Sequence, residues 1–148
     1  MPITEGNKIY YDWYDYNYDI INVRDFEFDH VVGIYRGSLL MAVHISNVFK
    51  VPMSIVGFQT RDGKDNEPYM IHKTGHAPNN MLVVDDIYDT GKTMKKVMQF
   101  LSYWRADKIQ GFCLYGKKNN LNVSYANEHK GHWIVFPWEE MGDARESF

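Results

Sequence analysis

Residues 81–84 (MLVV) constrain this chain most. Four apolar residues stand together between Asn79-Asn80 and Asp85-Asp86, with no polar residue among them. A strand with one wet face would alternate. An unbroken run suits a strand buried on both faces, as in a parallel sheet covered by helices. His30–Tyr35 (HVVGIY), residues 52–58 (PMSIVGF) and residues 109–115 (IQGFCLY) have the same character, and residues 133–136 read as a fifth strand, ended by Pro137. Between these runs the period changes. Residues 37–49 place Leu40, Val43 and Val48 at helical spacing, and residues 92–104 do so with Met94, Val97, Met98, Leu101 and Trp104. Strand and helix alternate, which predicts an α/β fold with a mainly parallel sheet flanked by helices. With 148 residues, the chain suits one domain over 1–148, able to bury roughly 70% of its unfolded surface.

Two segments are less regular. In residues 10–19 Tyr and Asp alternate with Trp and Asn. Trp13, Tyr16, Ile20 and Val23 fall at helical spacing there, and Asp12 is placed to cap the helix. Residues 59–80 form a polar gap long enough for a lid, a hairpin arm or a mobile loop; a lid over residues 59–75 would keep water from a reactive centre. The net charge of −3 argues against bulk binding to nucleic-acid backbones or anionic membranes, though not against a small cationic pocket. One cysteine, Cys113, excludes an internal disulfide and a multi-cysteine metal site, and mid-strand it reads as buried and inert. No apolar run approaches the length of a membrane span, and the N-terminal residues lack signal-peptide character, so a soluble cytoplasmic protein is expected. His72 and His76, like His129 and His132, have near-metal spacing but read as ordinary loop residues.

The chemistry concentrates where the run over 81–84 ends. Asp85 and Asp86 follow it, then Asp89-Thr-Gly-Lys-Thr93 turns into a helix. In open α/β sheets ligands bind beyond the carboxyl ends of the strands. The turn has Gly91 for tight geometry, the hydroxyls of Thr90 and Thr93, and the free N–H groups of a helix start, all suited to a phosphate. The acidic pair would repel a phosphate and suits sugar hydroxyls or a metal ion. A sugar phosphate satisfies both halves. A nucleotide-binding P-loop would need glycine five residues before Gly91, where Asp86 stands. Capping of a helix alone would not require an apolar strand running into Asp-Asp-x-x-Asp.

The stretch Val83-Val-Asp-Asp-Ile-Tyr-Asp-Thr-Gly-Lys-Thr93 resembles the phosphoribosyl-pyrophosphate signature of the type I phosphoribosyltransferases. Val32-Gly-Ile-Tyr-Arg-Gly-Ser38 resembles that family's strand and pyrophosphate loop, with Ser38 where a second glycine is common. Trp133-Ile-Val-Phe-Pro-Trp-Glu139 resembles the tail of its bacterial xanthine-guanine (purine) subgroup, and Lys117 stands where that subgroup places a purine-binding lysine. The resemblance covers about residues 30 to 139 and implies the type I fold, with a small hood from the terminal segments.

The reaction implied is Mg²⁺-dependent transfer of a 5-phosphoribosyl group from phosphoribosyl pyrophosphate to a nitrogen of a base, with release of pyrophosphate. By the same resemblance Arg36 and Gly37 take the pyrophosphate. Asp85 and Asp86 hold the ribose hydroxyls or the metal. Thr90, Gly91, Lys92 and Thr93 cradle the 5-phosphate. Asp89 is the general base, or else only caps its turn. Lys117 donates to a 6-oxo group, or else belongs to a solvated loop; Trp133 stacks on the base, or else merely packs; backbone groups around Ile134 line the same pocket. This set favours guanine, xanthine or hypoxanthine. The peptide between Tyr35 and Arg36 is expected to be cis or otherwise strained, and homodimers or homotetramers are expected. Two alternatives remain at this point: the same reaction on a pyrimidine or another heterocycle, and a non-catalytic module that senses phosphoribosyl pyrophosphate or a nucleotide.

Overall fold

The computed structural model describes residues 2–58, 60–61, 64–65, 67–74 and 78–140. Along the chain come β1 (Ile3–Glu5), β2 (Lys8–Tyr10), α1 (Trp13–Ile20), β3 (His30–Tyr35), α2 (Leu39–Phe49), β4 (Met53–Gly57), β5 (Thr60–Arg61), β6 (Lys64–Asp65), β7 (Tyr69–His72), β8 (Asn80–Ile87), α3 (Lys92–Leu101), β9 (Lys108–Gly116), β10 (Val123–Glu128) and β11 (Trp133–Val135). Short 3-10 turns follow α1 (Ile21–Asp25), α3 (Ser102–Trp104) and β11 (Pro137–Glu139).

The main sheet has the order β10-β9-β8-β3-β4-β7. Every neighbouring pair is parallel except β4 with β7. The apolar runs occupy its centre, and their alternate residues serve opposite faces. Val31, Leu82, Val84, Phe112 and Leu114 pack with Met41, Ala42 and Ile45 of α2. Val32, Ile34, Met81, Val83 and Cys113 pack with Met94, Val97 and Leu101 of α3. A strand covered on both sides has no position to give to a polar residue, which is why these runs are continuous. Cys113 is fully buried, and burial pushes its thiol well above the usual range, with the nearby Asp85 adding to the shift.

Several boundaries differ from the sequence reading. The strand expected over 81–84 continues to Ile87, because β9 pairs alongside it, with Asp85 opposite Cys113 and Ile87 opposite Tyr115. The aspartates therefore lie inside the last rungs of the strand rather than after it. The helix expected over 37–49 begins at Leu39, and the one expected over 92–104 tightens into a 3-10 turn after Leu101. The polar gap over 59–80 holds the β5–β6 hairpin and the antiparallel strand β7. Residues 59, 62, 63, 66 and 75–77, on which the expected lid partly falls, lie outside the described residues.

The fifth expected strand leaves the main sheet altogether. β11 pairs in parallel with β2, with Trp133 opposite Lys8 and Ile134 opposite Ile9, and β2 pairs antiparallel with β1. This three-stranded hood joins the two ends of the described chain. Helix α1 follows it, started by a reciprocal cap: Asp15 N–H donates to Asp12 Oδ1 at 2.8 Å and Asp12 N–H to Asp15 Oδ2 at 3.0 Å. The carboxylate of Asp19 accepts from Tyr11 Oη and from Asn127 Nδ2, both at 2.7 Å, so α1 is tied to β10. Trp138 stacks on Phe136 at 4.8 Å and meets Trp13 and Tyr16 edge-on or tilted, closing the tail over α1.

Candidate active site

All the expected site residues lie at the carboxyl end of the main sheet or on the hood strand beside it. After β3 the chain turns through Arg36, which is exposed, and Gly37. The Tyr35–Arg36 peptide is cis. Gly37 passes so close to β8 that an added Cβ would lie 2.6 Å from Asp86 Oδ2, so any other residue there would have to push the Asp86 carboxylate aside. Ser38, fully buried, accepts from the Ile34 N–H at 2.7 Å, and its Oγ lies 2.8 Å from both the Val84 and the Ile34 carbonyl oxygens, which share its one proton. Its hydroxyl thus binds the loop to the strand that carries the acidic pair. The sequence reading gave Ser38 no such role.

Asp85 and Asp86 are half-buried. The Asp86 N–H donates to Asp85 Oδ1 at 2.9 Å and the Ile87 N–H to Asp86 Oδ1 at 2.8 Å, which fixes both side chains against their own strand. Burial, and then the adjacent Asp86 charge, raise the Asp85 carboxyl well above the usual carboxylate range. Two carboxyls held at one strand end suit a cation, which would favour their ionised forms, or hydroxyl donors. Among the described residues no group of three or more His, Cys, Asp or Glu is arranged to hold a metal ion. Two carboxylates do fit Mg²⁺, which is typically held by one or two carboxylates together with substrate phosphates rather than by a protein cage.

The turn beyond β8 encloses a hollow of about 90 Å³ lined by residues 87–94. Gly91 opens α3 with a φ of 83°, a conformation that favours glycine, and an added Cβ would meet the Tyr88 hydroxyl. The Thr90 hydroxyl accepts from the Lys92 N–H at 3.4 Å, and the helix start faces this hollow with its positive dipole end. Thr90 and Lys92 are exposed and Thr93 half-buried around it.

Beside the hollow lies a larger cleft, about 450 Å³, whose wall includes Asp86, Asp89, Trp133, Ile134 and Glu139. Trp133 is 65% exposed, its ring available to a ligand. Ile134 is buried as a side chain, but its backbone is placed differently. Trp133 N–H donates to Asn7 and Val135 C=O accepts from Tyr11, so the Ile134 N–H and C=O point to the unpaired edge of β11. Lys117, the first residue after β9, reaches Asp89 with Nζ 3.0 Å from Oδ1. Asp85, Asp86, Asp89 and the 90–93 turn thus meet Arg36 and Gly37 on one side and Lys117, Trp133 and Ile134 on the other.

A sequence profile of the phosphoribosyl transferase domain matches residues 3–144. The chain belongs to the phosphoribosyltransferase family. It is 25% identical over 115 residues to a xanthine-guanine phosphoribosyltransferase of Cereibacter sphaeroides, covering 74% of this chain and 68% of that protein. Its fold matches that of a purine phosphoribosyltransferase from Pyrococcus horikoshii with a TM-score of 0.75 and 25% identity, covering 92% and 96% of the two chains. A Helicobacter pylori xanthine-guanine-hypoxanthine phosphoribosyltransferase gives 0.79 at 18% identity, over 95% and 98%.

This phosphoribosyltransferase is an enzyme, and its cleft holds residues that sequence reasoning passed over. His129 and His132, set aside as loop histidines, line the cleft wall, as does Asn7 from the β1–β2 turn. Glu139 stands at the same wall, with its carboxyl raised mainly by burial. Only the pairing of β11 with β2 brings Asn7 there, and no local signal could have revealed it. Among the described residues no helix is long and apolar enough to cross a membrane.

Proposed function

We propose that this phosphoribosyltransferase transfers the 5-phosphoribosyl group of phosphoribosyl pyrophosphate to a ring nitrogen of a 6-oxopurine, with Mg²⁺ and with release of pyrophosphate. The observation that carries the reading is the meeting of Lys117 and Asp89 at 3.0 Å beside the cleft walled by Trp133 and Ile134. A donor, an acceptor, a stacking face and a free peptide edge converge there, next to the sugar-phosphate turn. The purine relatives of the chain support the same choice.

The roles follow from chemistry. The N–H groups at the start of α3 and the hydroxyls of Thr90 and Thr93 take the 5-phosphate, with Gly91 allowing close approach and Lys92 adding charge. Arg36 and the backbone at Gly37 bind the pyrophosphate, where Arg can offer a bidentate fork. Asp85 and Asp86 hold ribose hydroxyls or waters on the metal. When bound, Mg²⁺ neutralises the leaving pyrophosphate. The ribose C1 gains positive charge as the bond to pyrophosphate breaks, and the nearby carboxylates stabilise it. Asp89 accepts the proton from the attacking ring nitrogen. Trp133 stacks on the purine. Lys117 donates to the 6-oxo group, and the Ile134 backbone pairs with the base edge. An ammonium cannot accept from a 6-amino group, so adenine is disfavoured.

The test is pyrophosphate release from phosphoribosyl pyrophosphate with Mg²⁺ and a panel of guanine, xanthine, hypoxanthine, adenine, uracil and orotate. Turnover led by the three 6-oxopurines is expected. Preference for adenine or a pyrimidine would overturn the base assignment, and tight binding of phosphoribosyl pyrophosphate without turnover on any base would favour a sensing module.

A further inference from the structure

Three neighbouring strands each deliver one residue to a single cluster, two of them meeting the carboxylate of the third. Asp89 comes two residues after the end of β8, Lys117 directly after β9 and His129 directly after β10. The register requires this. Glu128 pairs with Gly116, and the His129 N–H donates to the Gly116 carbonyl at 2.7 Å, so His129 and Lys117 leave adjacent strand ends side by side. Lys117 Nζ and His129 Nε2 then approach the same atom, Asp89 Oδ1, at 3.0 and 3.5 Å.

The two donors differ in rigidity. The Lys117 side chain is 46% exposed on a flexible four-carbon stem, and its pair with the 61% exposed Asp89 is of a kind that fixes little. The His129 side chain is 8% exposed, has two torsions and is anchored through its backbone. Its tautomer follows from its surroundings. His129 Nδ1 is buried without a hydrogen-bond partner among the described residues. A proton on Nδ1 would orphan a buried N–H and turn the Nε2 lone pair toward a carboxylate; a proton on Nε2 avoids both.

We propose that His129 is a positioning residue, its Nε2–H orienting the Asp89 carboxylate toward the base while Lys117 is left free to reach the substrate. This rests on the reading of Asp89 as the group that meets the base. The 3.5 Å separation is long for a hydrogen bond, and such contacts commonly tighten only when substrate fills the site. His132, Asp86 and Glu139 line the same cleft and face the imidazole's surroundings from it.

The test is steady-state kinetics with phosphoribosyl pyrophosphate, Mg²⁺ and guanine on His129→Ala, His129→Gln, His129→Asn, Asp89→Asn and the Asp89→Asn/His129→Ala double variant. A positioning partner of this kind commonly contributes about ten- to a hundred-fold, so His129→Ala should lower kcat by about tenfold with KM for phosphoribosyl pyrophosphate unchanged. Gln places its amide N–H near the Nε2 position and should restore most of the loss, whereas Asn, which reaches only to Nδ1, should not. In the Asp89→Asn background the His129 substitution should cost nothing further. Equal activity of the Gln and Asn variants, or an undiminished His129 effect in the Asp89→Asn background, would overturn the proposal. Normal turnover by His129→Ala beside a crippled Asp89→Asn removes this inference alone; normal turnover by Asp89→Asn removes the role of Asp89 as well.

Discussion

The sugar-phosphate turn takes its residues from one stretch, 85–93, whereas the wall of the adjacent cleft combines Asn7 near one end of the chain with His129 and Glu139 near the other. The first is set by a central strand with a neighbour on each side and by the loop that Ser38 binds to it. The second depends on a hood whose strands are three residues each, short enough to be marginal without the body beneath them. In the proposed function, chemistry common to every acceptor falls on the central turn, and recognition of the acceptor on the cleft beside it. Damage to the centre should stop turnover on every base, and damage to the cleft should weaken the base while sparing the sugar phosphate.

The largest expected effect is at the centre. Asp85→Asn with Asp86→Asn should reduce turnover by at least about a thousandfold, the scale of losing preorganised charge at a developing cation. The same change should raise Tm. A carboxyl whose folded pKa is raised contributes stability present below its unfolded value and lost as pH rises through the folded one, so near neutral pH Asp85 costs the ligand-free enzyme stability. Asn keeps the Oδ1 that accepts from the Asp86 N–H. Calorimetry at neutral pH and pyrophosphate release together check this; active protein, or a lower Tm, contradicts it.

Next comes the base side. Lys117→Ala should lower kcat/KM for guanine or xanthine about ten- to a hundred-fold, from roughly 1.5–3 kcal/mol for a charge-assisted hydrogen bond. Affinity for phosphoribosyl pyrophosphate, read by titration calorimetry, should stay the same. Trp133→Ala should weaken all bases alike by about 1 kcal/mol, the low end for base–aromatic stacking at an exposed ring. A silent Lys117, or a Trp133 change that weakened phosphoribosyl pyrophosphate as much as the base, would break the division between the central turn and the cleft.

The smallest effect sharpens the comparison. Asp12→Ala removes the cap of α1 and should cost about 1 kcal/mol of stability, read as a lower denaturant midpoint with unchanged kcat. A large loss of kcat would mean that α1 takes part in the site rather than merely supporting the hood.

The centre was legible for a physical reason. Buried parallel strands must be continuously apolar, and a phosphate turn needs Gly and Thr residues at a helix start, so residues 30–35, 81–93 and 92–101 announce themselves locally. β10 did not, because Val-Ser-Tyr-Ala-Asn-Glu lies at the sheet edge, where polar residues are tolerated. β1 and β2 are too short to show a period. β7 was hidden in a polar gap, since its burial on the edge of β4 is slight. Trp133 and Ile134 were found by resemblance, but their place in the hood, and the arrival of His129 beside Lys117, come from pairings between distant segments that no window of sequence contains.

The parallel ends of β8, β9 and β10 also act as a ruler. Adjacent strands keep a spacing of about 4.8 Å, so Asp89 and His129 spring from points roughly two such steps apart, with Lys117 between them. That gauge cannot be widened without breaking ladder bonds through the middle of the sheet. An enzyme of this build that came to accept a bulkier or slimmer base would have to absorb the change by shifting β11 over the site, and its evolutionary freedom would lie almost wholly in the hood.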